Sequence, residues 1–94
     1  MKATILMLSV DEAHLLEHSL PAAAAQDAEV VVVDNATNDA TPDVAAAHGA
    51  RLVRIAERVS YAAAINRGLA ASGGDAVLLL NADCVIDPGF LAAA

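Results

Sequence analysis

The sequence predicts an α/β protein built on a parallel sheet with helices on both faces. Three observations predict it: short apolar runs alternate with segments of helical periodicity, the run at 30–33 consists of four valines, and polar loops follow the apolar runs. Strands that alternate with helices form parallel sheets through right-handed crossovers. We therefore predict a three-layer β-α-β-α-β-α-β arrangement of about four strands, in a single domain spanning residues 1–94.

The first strand is predicted at 3–8, and the first helix follows it. Residues 3–8 form a short, mostly apolar run, which suits a strand buried on both faces. Beyond it, Leu15 and Leu20 share one face of a helix. Asp11 is the expected N-cap of this helix, and Pro21 lies near its expected end.

The second strand and helix have the clearest pattern. Residues 29–33 are predicted to form a central strand, because consecutive β-branched side chains suit a sheet better than a helix. The polar residues 35–41 are turn formers and predict a loop. Thr41 is expected to cap the next helix, with Pro42 at its first position and Gly49 as a left-handed stop.

A third strand, a third helix and a fourth strand complete the alternation. Residues 52–55 suit a short strand. Apolar residues at 62, 65 and 69 have helical spacing, and the Ser-Gly-Gly sequence at 72–74 ends that helix. Residues 76–80 form a fourth apolar run, and a further helix starts near Phe90.

Composition and charge exclude several classes of function. A formal net charge of -7 with only five Lys and Arg residues argues against binding of a nucleic-acid backbone. The two aromatic residues, Tyr61 and Phe90, are too few for a platform that stacks single-stranded bases. The single cysteine excludes an intramolecular disulfide and a multi-cysteine zinc site. No apolar run approaches the roughly 18 residues of a spanning helix, and the start lacks a cleavable signal pattern, so we expect a cytoplasmic protein.

Ligands of open parallel sheets bind outside the carboxyl ends of the strands, which directs attention to the loops at 9–12, 34–41, 56–60 and 81–88. The second loop holds two carboxylates and two Asn side chains. Asp34 directly follows the four-valine run, so its carboxylate is held rigidly and can accept hydrogen bonds from a base N–H or a ribose hydroxyl. A capped, solvated turn is the alternative interpretation.

The third and fourth loops supply candidates for a diphosphate and a cation. Asn81 and Asp83 are two residues apart, and their oxygens suit a hard divalent cation completed by phosphate oxygens and water. An Asx turn is the alternative. Arg58 precedes the third helix, where it could pair with a pyrophosphate near the amino end of that helix.

Two blocks of the sequence resemble a known family. The segment VVVVDNATNDATPDVAAAHGARLVRI at 30–55 resembles the second-strand signature V-D-N-x-S-x-D-G-T of family 2 inverting glycosyltransferases. The segment YAAAINRGLAASGGDAVLLLNADCVIDPGFL at 61–91 is similar to the next block of that family, in which an N-x-G helix leads to a strand carrying an acidic D-x-D element. The resemblance covers essentially the whole chain. It implies the nucleotide-diphospho-sugar-binding half of the Rossmann-like GT-A fold.

The resemblance also implies roles for individual residues. Asp34 would meet the nucleoside base, the loop from Ser9 to Asp11 would line the base and ribose, and Asp83 would hold Mg²⁺ or Mn²⁺ against the diphosphate of a UDP- or dTDP-sugar. Asn66 and Gly68 match the N-x-G positions and would shape the floor of the crevice. The expected site comprises Ser9, Asp11, Asp34, Asn35, Arg58 and Asn66 for the nucleotide, Asn81 for the sugar and Asp83 for the metal.

The sequence departs from the family pattern at three places. Asn81 replaces the first acid of D-x-D, which weakens the metal site or shifts this position toward a sugar hydroxyl. Ala40 replaces a usual glycine and could change the turn, because alanine tolerates positive φ poorly. The first strand lacks the usual proline and the aromatic residue after it, which removes a stacking ring for the base.

Complete members of the family are well over twice as long, and their second half carries the acceptor site and a general-base carboxylate. No residue here matches that base, so we name no catalytic residue and expect a donor-binding half that is incomplete for catalysis alone. One alternative is a non-catalytic module that self-associates through its exposed sheet edge as a homodimer. Another is an unrelated nucleotide-binding unit, against which the absence of G-x-G-x-x-G after the first strand counts strongly.

Overall fold

The computed structural model describes residues 3–73 and 75–93, and its elements follow the predicted alternation. Because the strands and helices occur in the predicted order, the α/β fold class is confirmed. The elements are β1 (Ala3–Ser9), α1 (Ala13–Ala24), β2 (Glu29–Asn35), α2 (Thr41–Ala47), β3 (Arg51–Ile55), α3 (Tyr61–Ala71), β4 (Ala76–Leu80) and α4 (Phe90–Ala93). None of the helices in these two ranges is both long enough and apolar enough to cross a membrane.

The four strands form one parallel sheet in the order β3-β2-β1-β4. Asp34 lies at the carboxyl end of β2 and is paired in register with Ser9 of β1 and with Arg54 of β3. Since all strands run the same way, their carboxyl ends meet at one edge of the sheet. The loops singled out from the sequence therefore lie along that edge.

The core lies on both faces of the sheet, as the consecutive apolar residues predict. On one face, Ile5 and Val32 pack with Leu16 and Leu20 of α1. On the other face, Leu6, Val31, Val33 and Ile55 pack with Ala64 of α3. Successive strand residues point to opposite faces, so the four valines of β2 divide between the two layers. This makes β2 an internal strand of the sheet that is buried at residues 30–35.

Strands β1 and β3 each extend one residue beyond their predicted bounds, and β2 and α1 extend further. The ladder of β2 continues two residues further, because Asp34 and Asn35 pair with Arg54 and Ile55. Helix α1 continues one turn beyond Pro21 to Ala24. The alanines after the proline are the best helix formers, which favours this extra turn.

Both predicted N-caps are wrong. Asp11 lies outside α1, whose cap position is occupied by Glu12 without a side-chain cap bond. Thr41 is the first residue of α2 rather than its cap. The caps come instead from Asp39, described below with the site.

The predicted strain at Ala40 is also wrong. Ala40 has φ of -81°, so alanine occupies this turn without strain. The left-handed residues of this edge are Asp11, with φ of 56°, and Ala36, with φ of 54°. In the turn after β2, the residue with positive φ is therefore Ala36, four residues before the position that the sequence suggested.

Candidate functional site

Three of the four loops are joined by hydrogen bonds through Asp11. Its Oδ1 accepts from the backbone N–H of Asn38 at 2.8 Å, and its Oδ2 pairs with the guanidinium of Arg58 at 3.0 Å. These bonds connect the loops after β1, β2 and β3. The side chains of Asp11 and Arg58 are both about half exposed, so the pair lies at the surface of this edge.

Asn35 fixes the loop that carries Arg58. Its side-chain amide donates to the carbonyl of Val59 and its Oδ1 accepts from the N–H of Val59, both at 3.0 Å. The Nε of Arg58 donates to the carbonyl of Asn35 at 3.3 Å. Asn35 is buried, and its hydrogen bonds fix the position of the residues that lead into α3.

Asp34 is fully buried at the end of β2, with no exposed surface. Its Oδ1 accepts from the N–H of Thr37 at 2.9 Å, and its Oδ2 pairs with Arg54. Arg54 also donates to the carbonyl of Thr37 at 3.2 Å, and its own side chain is half exposed. Sequence reasoning missed Arg54, because its position opposite Asp34 depends on the register of β2 and β3.

Ser9 is buried where β1 ends and connects to α2. Its hydroxyl lies 2.8 Å from that of Thr41 and accepts from the N–H of Glu12 at 3.2 Å. The hydroxyl of Thr41 donates to Asp39, so the Ser9 hydroxyl must donate to Thr41. Ser9 thus holds the first loop in place from within.

Asp39 caps two helices with one carboxylate. Its Oδ2 accepts from the N–H of Ala13 at the start of α1 at 2.9 Å, and its Oδ1 accepts from the N–H and the hydroxyl of Thr41 at 3.0 and 2.6 Å. Partial burial alone would raise the pKa of Asp39. The hydrogen bonds from Thr41 and Ala13 outweigh it and hold the pKa of this carboxyl below its usual 3.8.

A cavity of about 280 Å³ separates the first loop from the fourth. It is lined by Glu12 of the first loop, by Asn81 and Asp83 of the fourth loop, and by Tyr61 at the start of α3. Asn81 and Asp83, to which the resemblance gave roles in binding the sugar and the metal, thus both line this cavity. The remaining residues that line the cavity are Leu8, Val10, Leu79, Leu80 and Ala82. Sequence reasoning missed Tyr61 and Glu12, which no spacing connects to the fourth loop.

The oxygens at this cavity fit a hard divalent cation only in part. Asp83 and Asn81 are exposed and offer one carboxylate and one amide oxygen. Within the ranges described, no group of three His, Cys, Asp or Glu residues could hold a metal ion. A cation here would need phosphate oxygens and water to complete its coordination, which is the usual arrangement for Mg²⁺ with nucleotide phosphates.

The N-x-G pair divides between two environments. Gly68 is buried, and a Cβ added to it would lie 2.6 Å from Leu6 and from Val33. Asn66 is exposed on the same helix, about one and a half turns from its start. Gly68 therefore allows α3 to approach the sheet closely, whereas Asn66 is set back from the loops that lie at the carboxyl edge.

A sequence model of the family described as Glycosyl transferase family 2 matches residues 4–94. The chain belongs to glycosyl transferase family 2. Among its curated relatives is an uncharacterised glycosyltransferase of Mycobacterium tuberculosis, 38% identical over 78 residues, which cover 80% of this chain and 35% of that protein. Another is a TPR repeat-containing protein of Synechococcus elongatus, 35% identical over 82 residues, which cover 87% of this chain and 20% of that protein.

Solved structures confirm the family 2 fold. The crystal structure of residues 1–349 of TarS from S. aureus superimposes with a TM-score of 0.90 at 21% identity, over 99% of this chain and 31% of that one. Glucosyl-3-phosphoglycerate synthase from M. tuberculosis superimposes with a TM-score of 0.81 at 25% identity, over 97% of this chain and 38% of that one. The same synthase has been crystallised with Mn²⁺, UDP and glucosyl-3-phosphoglycerate. The chain thus spans between a fifth and two fifths of the length of these relatives.

Proposed function

We propose that the carboxyl edge of the sheet binds a nucleotide-diphospho-sugar together with a divalent cation, as the donor site of a glycosyl transfer reaction. The observation that carries this proposal is the cavity that Glu12, Asn81 and Asp83 line together, at the edge where the loops after β1, β2 and β3 are joined. The M. tuberculosis synthase that shares this fold binds UDP and Mn²⁺. Membership of family 2 supports the same class of donor.

The charges of the edge are consistent with a diphosphate. The chain has a net charge of -7, so a diphosphate that enters needs local positive charge. Arg58 offers a half-exposed guanidinium at this edge, held in place by Asp11 and by the carbonyl of Asn35. A divalent cation shared between Asp83 and the phosphates would supply the rest and would polarise the leaving group.

The proposed site keeps the residues that the family resemblance implies. The nucleotide would lie along the loops held by Ser9, Asp11, Asp34, Asn35 and Arg58, with Asn66 set back on α3. Asn81 would meet the sugar, and Asp83 would hold Mg²⁺ or Mn²⁺. UDP- and dTDP-sugars are the donors we expect. We assign donor binding to this chain and name no residue as the base that activates an acceptor. The location that we propose is the cytoplasm.

Replacing Asp83 tests the metal-dependent part of the proposal. We expect Asp83→Ala to weaken the binding of a UDP-sugar in Mn²⁺ at least about tenfold, because the cation loses the carboxylate that we assign to it at the cavity. Isothermal titration calorimetry of UDP- and dTDP-sugars, with and without Mn²⁺, measures this change. Asp87→Ala is the matched control, because Asp87 is an exposed carboxylate of the same loop that does not line the cavity. Equal Mn²⁺ dependence in the wild type and Asp83→Ala would contradict the assignment.

A second candidate function is self-association through β4. In the described part of the chain, β4 is an edge strand that pairs with β1 alone. It is uncharged along Ala76–Leu80, and Val77 and Leu79 remain about two fifths exposed on it. The opposite edge strand, β3, instead carries Arg51 and Arg54, the kind of charges that protect an edge from pairing.

The partner we propose for β4 is a second copy of this chain. Two copies of a chain with net charge -7 repel, and an uncharged strand lets them approach without placing like charges opposite each other. Antiparallel pairing of β4 with its own copy would create a two-fold interface in which Val77 and Leu79 become covered.

We expect the wild type to be a dimer in light scattering at micromolar concentrations. Leu79→Lys should give a monomer, because it places a charge on the edge strand. Val85→Lys is the control, since Val85 is also exposed but lies in the loop after β4. A wild type that scatters as a monodisperse monomer contradicts the second candidate.

A further inference from the structure

We infer that Arg54, rather than Asp34, is the group that contacts the nucleobase, and that Asp34 anchors Arg54 from beneath. This inference rests on the proposed function, because it names the residue that would read the base of the donor. It changes the chemistry of recognition at this point. A carboxylate accepts hydrogen bonds, whereas a guanidinium donates them.

The difference in burial favours Arg54 over Asp34 as the residue that contacts a ligand. Asp34 has no exposed surface, so a ligand cannot touch it without moving the residues around it. The side chain of Arg54 is half exposed. Of these two groups, the guanidinium is therefore the one that a ligand can reach.

The contacts of Arg54 fix its orientation. One terminal nitrogen pairs with Asp34, and the other donates to the carbonyl of Thr37 at 3.2 Å. Asp34 and Arg54 are also paired in register across β2 and β3, so their backbones are held together by the sheet. A planar guanidinium held at two points keeps donors available for a ligand, since it has five N–H groups in all.

The hydrogen-bond donors and the flat surface of the Arg54 side chain suit a nucleobase better than a phosphate alone. Guanidinium donors pair with the carbonyl oxygens of bases, and the guanidinium plane offers a stacking surface. Such a surface is useful here because the first loop carries Val10 and Asp11 rather than an aromatic ring. Arg58, held by Asp11 and the carbonyl of Asn35, is the separate half-exposed guanidinium that we assigned to the diphosphate.

The test compares two ligands, UDP and inorganic pyrophosphate, each titrated calorimetrically into the full chain in Mn²⁺. We expect Arg54→Gln to weaken UDP binding about tenfold or more, because it removes guanidinium contacts to the base. Pyrophosphate carries no base, so its affinity should change less than about twofold. Arg51→Gln is the matched control, because Arg51 is an exposed arginine of the same strand that donates to the carbonyl of Ala71 instead. It should leave both affinities unchanged.

Arg54→Lys is a second variant that distinguishes the loss of a ligand contact from the loss of the fold. It keeps a cation beside the buried Asp34 but lacks the planar fork, so we expect a folded protein whose UDP affinity is also reduced, with pyrophosphate binding retained. Equal losses for UDP and pyrophosphate would show that Arg54 only supports the loops and would overturn the inference. Wild-type UDP affinity in both Arg54 variants would overturn it as well, while leaving the proposed function standing. A wild type that binds neither ligand would overturn both.

Discussion

Gly68→Val is expected to lower the free energy of unfolding by about 3 kcal/mol or more, which is a large part of the stability of a domain of this size. An added Cβ would lie 2.6 Å from Leu6 Cδ1 and from Val33 Cγ2. Both neighbours are fully buried between the sheet and α3, so neither can move without disturbing the core. The helix must shift outward instead, and the contacts of Ala64 with the sheet loosen with it.

Gly68→Ala separates this clash from the bulk of the valine. Alanine gains about 1 kcal/mol of helix propensity over glycine, so a site with free space would become more stable. We expect a net loss of about 1–3 kcal/mol, because the added methyl group overpacks the core. Gly73→Ala is the control, since a Cβ there meets nothing within 4 Å. Urea unfolding measures all three variants, and a Gly68→Ala protein as stable as the wild type would contradict the close approach of α3.

The strands and their order of occurrence could be predicted because their signals are local. Four consecutive valines specify a strand buried on both faces, and that strand is β2 at the centre of the sheet. The position of the loops along one edge then follows from the parallel arrangement. This is why the loop that carries Asn81 and Asp83 was predicted to lie at the same edge of the sheet as the first loop.

The cap of α1 could not be predicted because it comes from a distant part of the chain. Asp11 and Thr41 have the residue types and positions of N-caps, but Asp39 reaches the start of α1 across 26 residues of sequence. Asp11 adopts positive φ and turns toward Arg58 instead. Local capping rules describe which groups need a partner, and the tertiary fold decides which residue supplies it.

The partners of the site residues could not be predicted either, because they depend on the register between strands. Asp34 was recognised as a rigid carboxylate at the end of a strand, and the structure places it there. Its pairing with Arg54 requires β2 and β3 to align at those two residues, which no pattern in the sequence fixes. The burial of Asp34 follows from that alignment.

Asp39→Ala is expected to destabilise the protein by roughly 1–4 kcal/mol, because one carboxylate satisfies the first N–H groups of two helices. Ala13 of α1 and Thr41 of α2 would both lose their acceptor. Asp43→Ala is the matched control, since Asp43 is an exposed carboxylate in the first turn of α2. It should cost at most about 1 kcal/mol through the helix dipole. Equal losses in the two variants would contradict the double cap.

The same carboxylate makes the stability depend on pH in a defined direction. The pKa of Asp39 is lower in the folded chain than its usual 3.8, so the unfolded chain binds the proton more readily. Its contribution is therefore present above about pH 4 and is lost as the pH falls through the folded value. The difference in unfolding free energy between the wild type and Asp39→Asn should stay constant from about pH 7 to 5 and shrink below 3.8. Urea unfolding across this range measures it, and a difference that stays constant down to about pH 3 would show that the carboxylate is not held in its charged form by these hydrogen bonds.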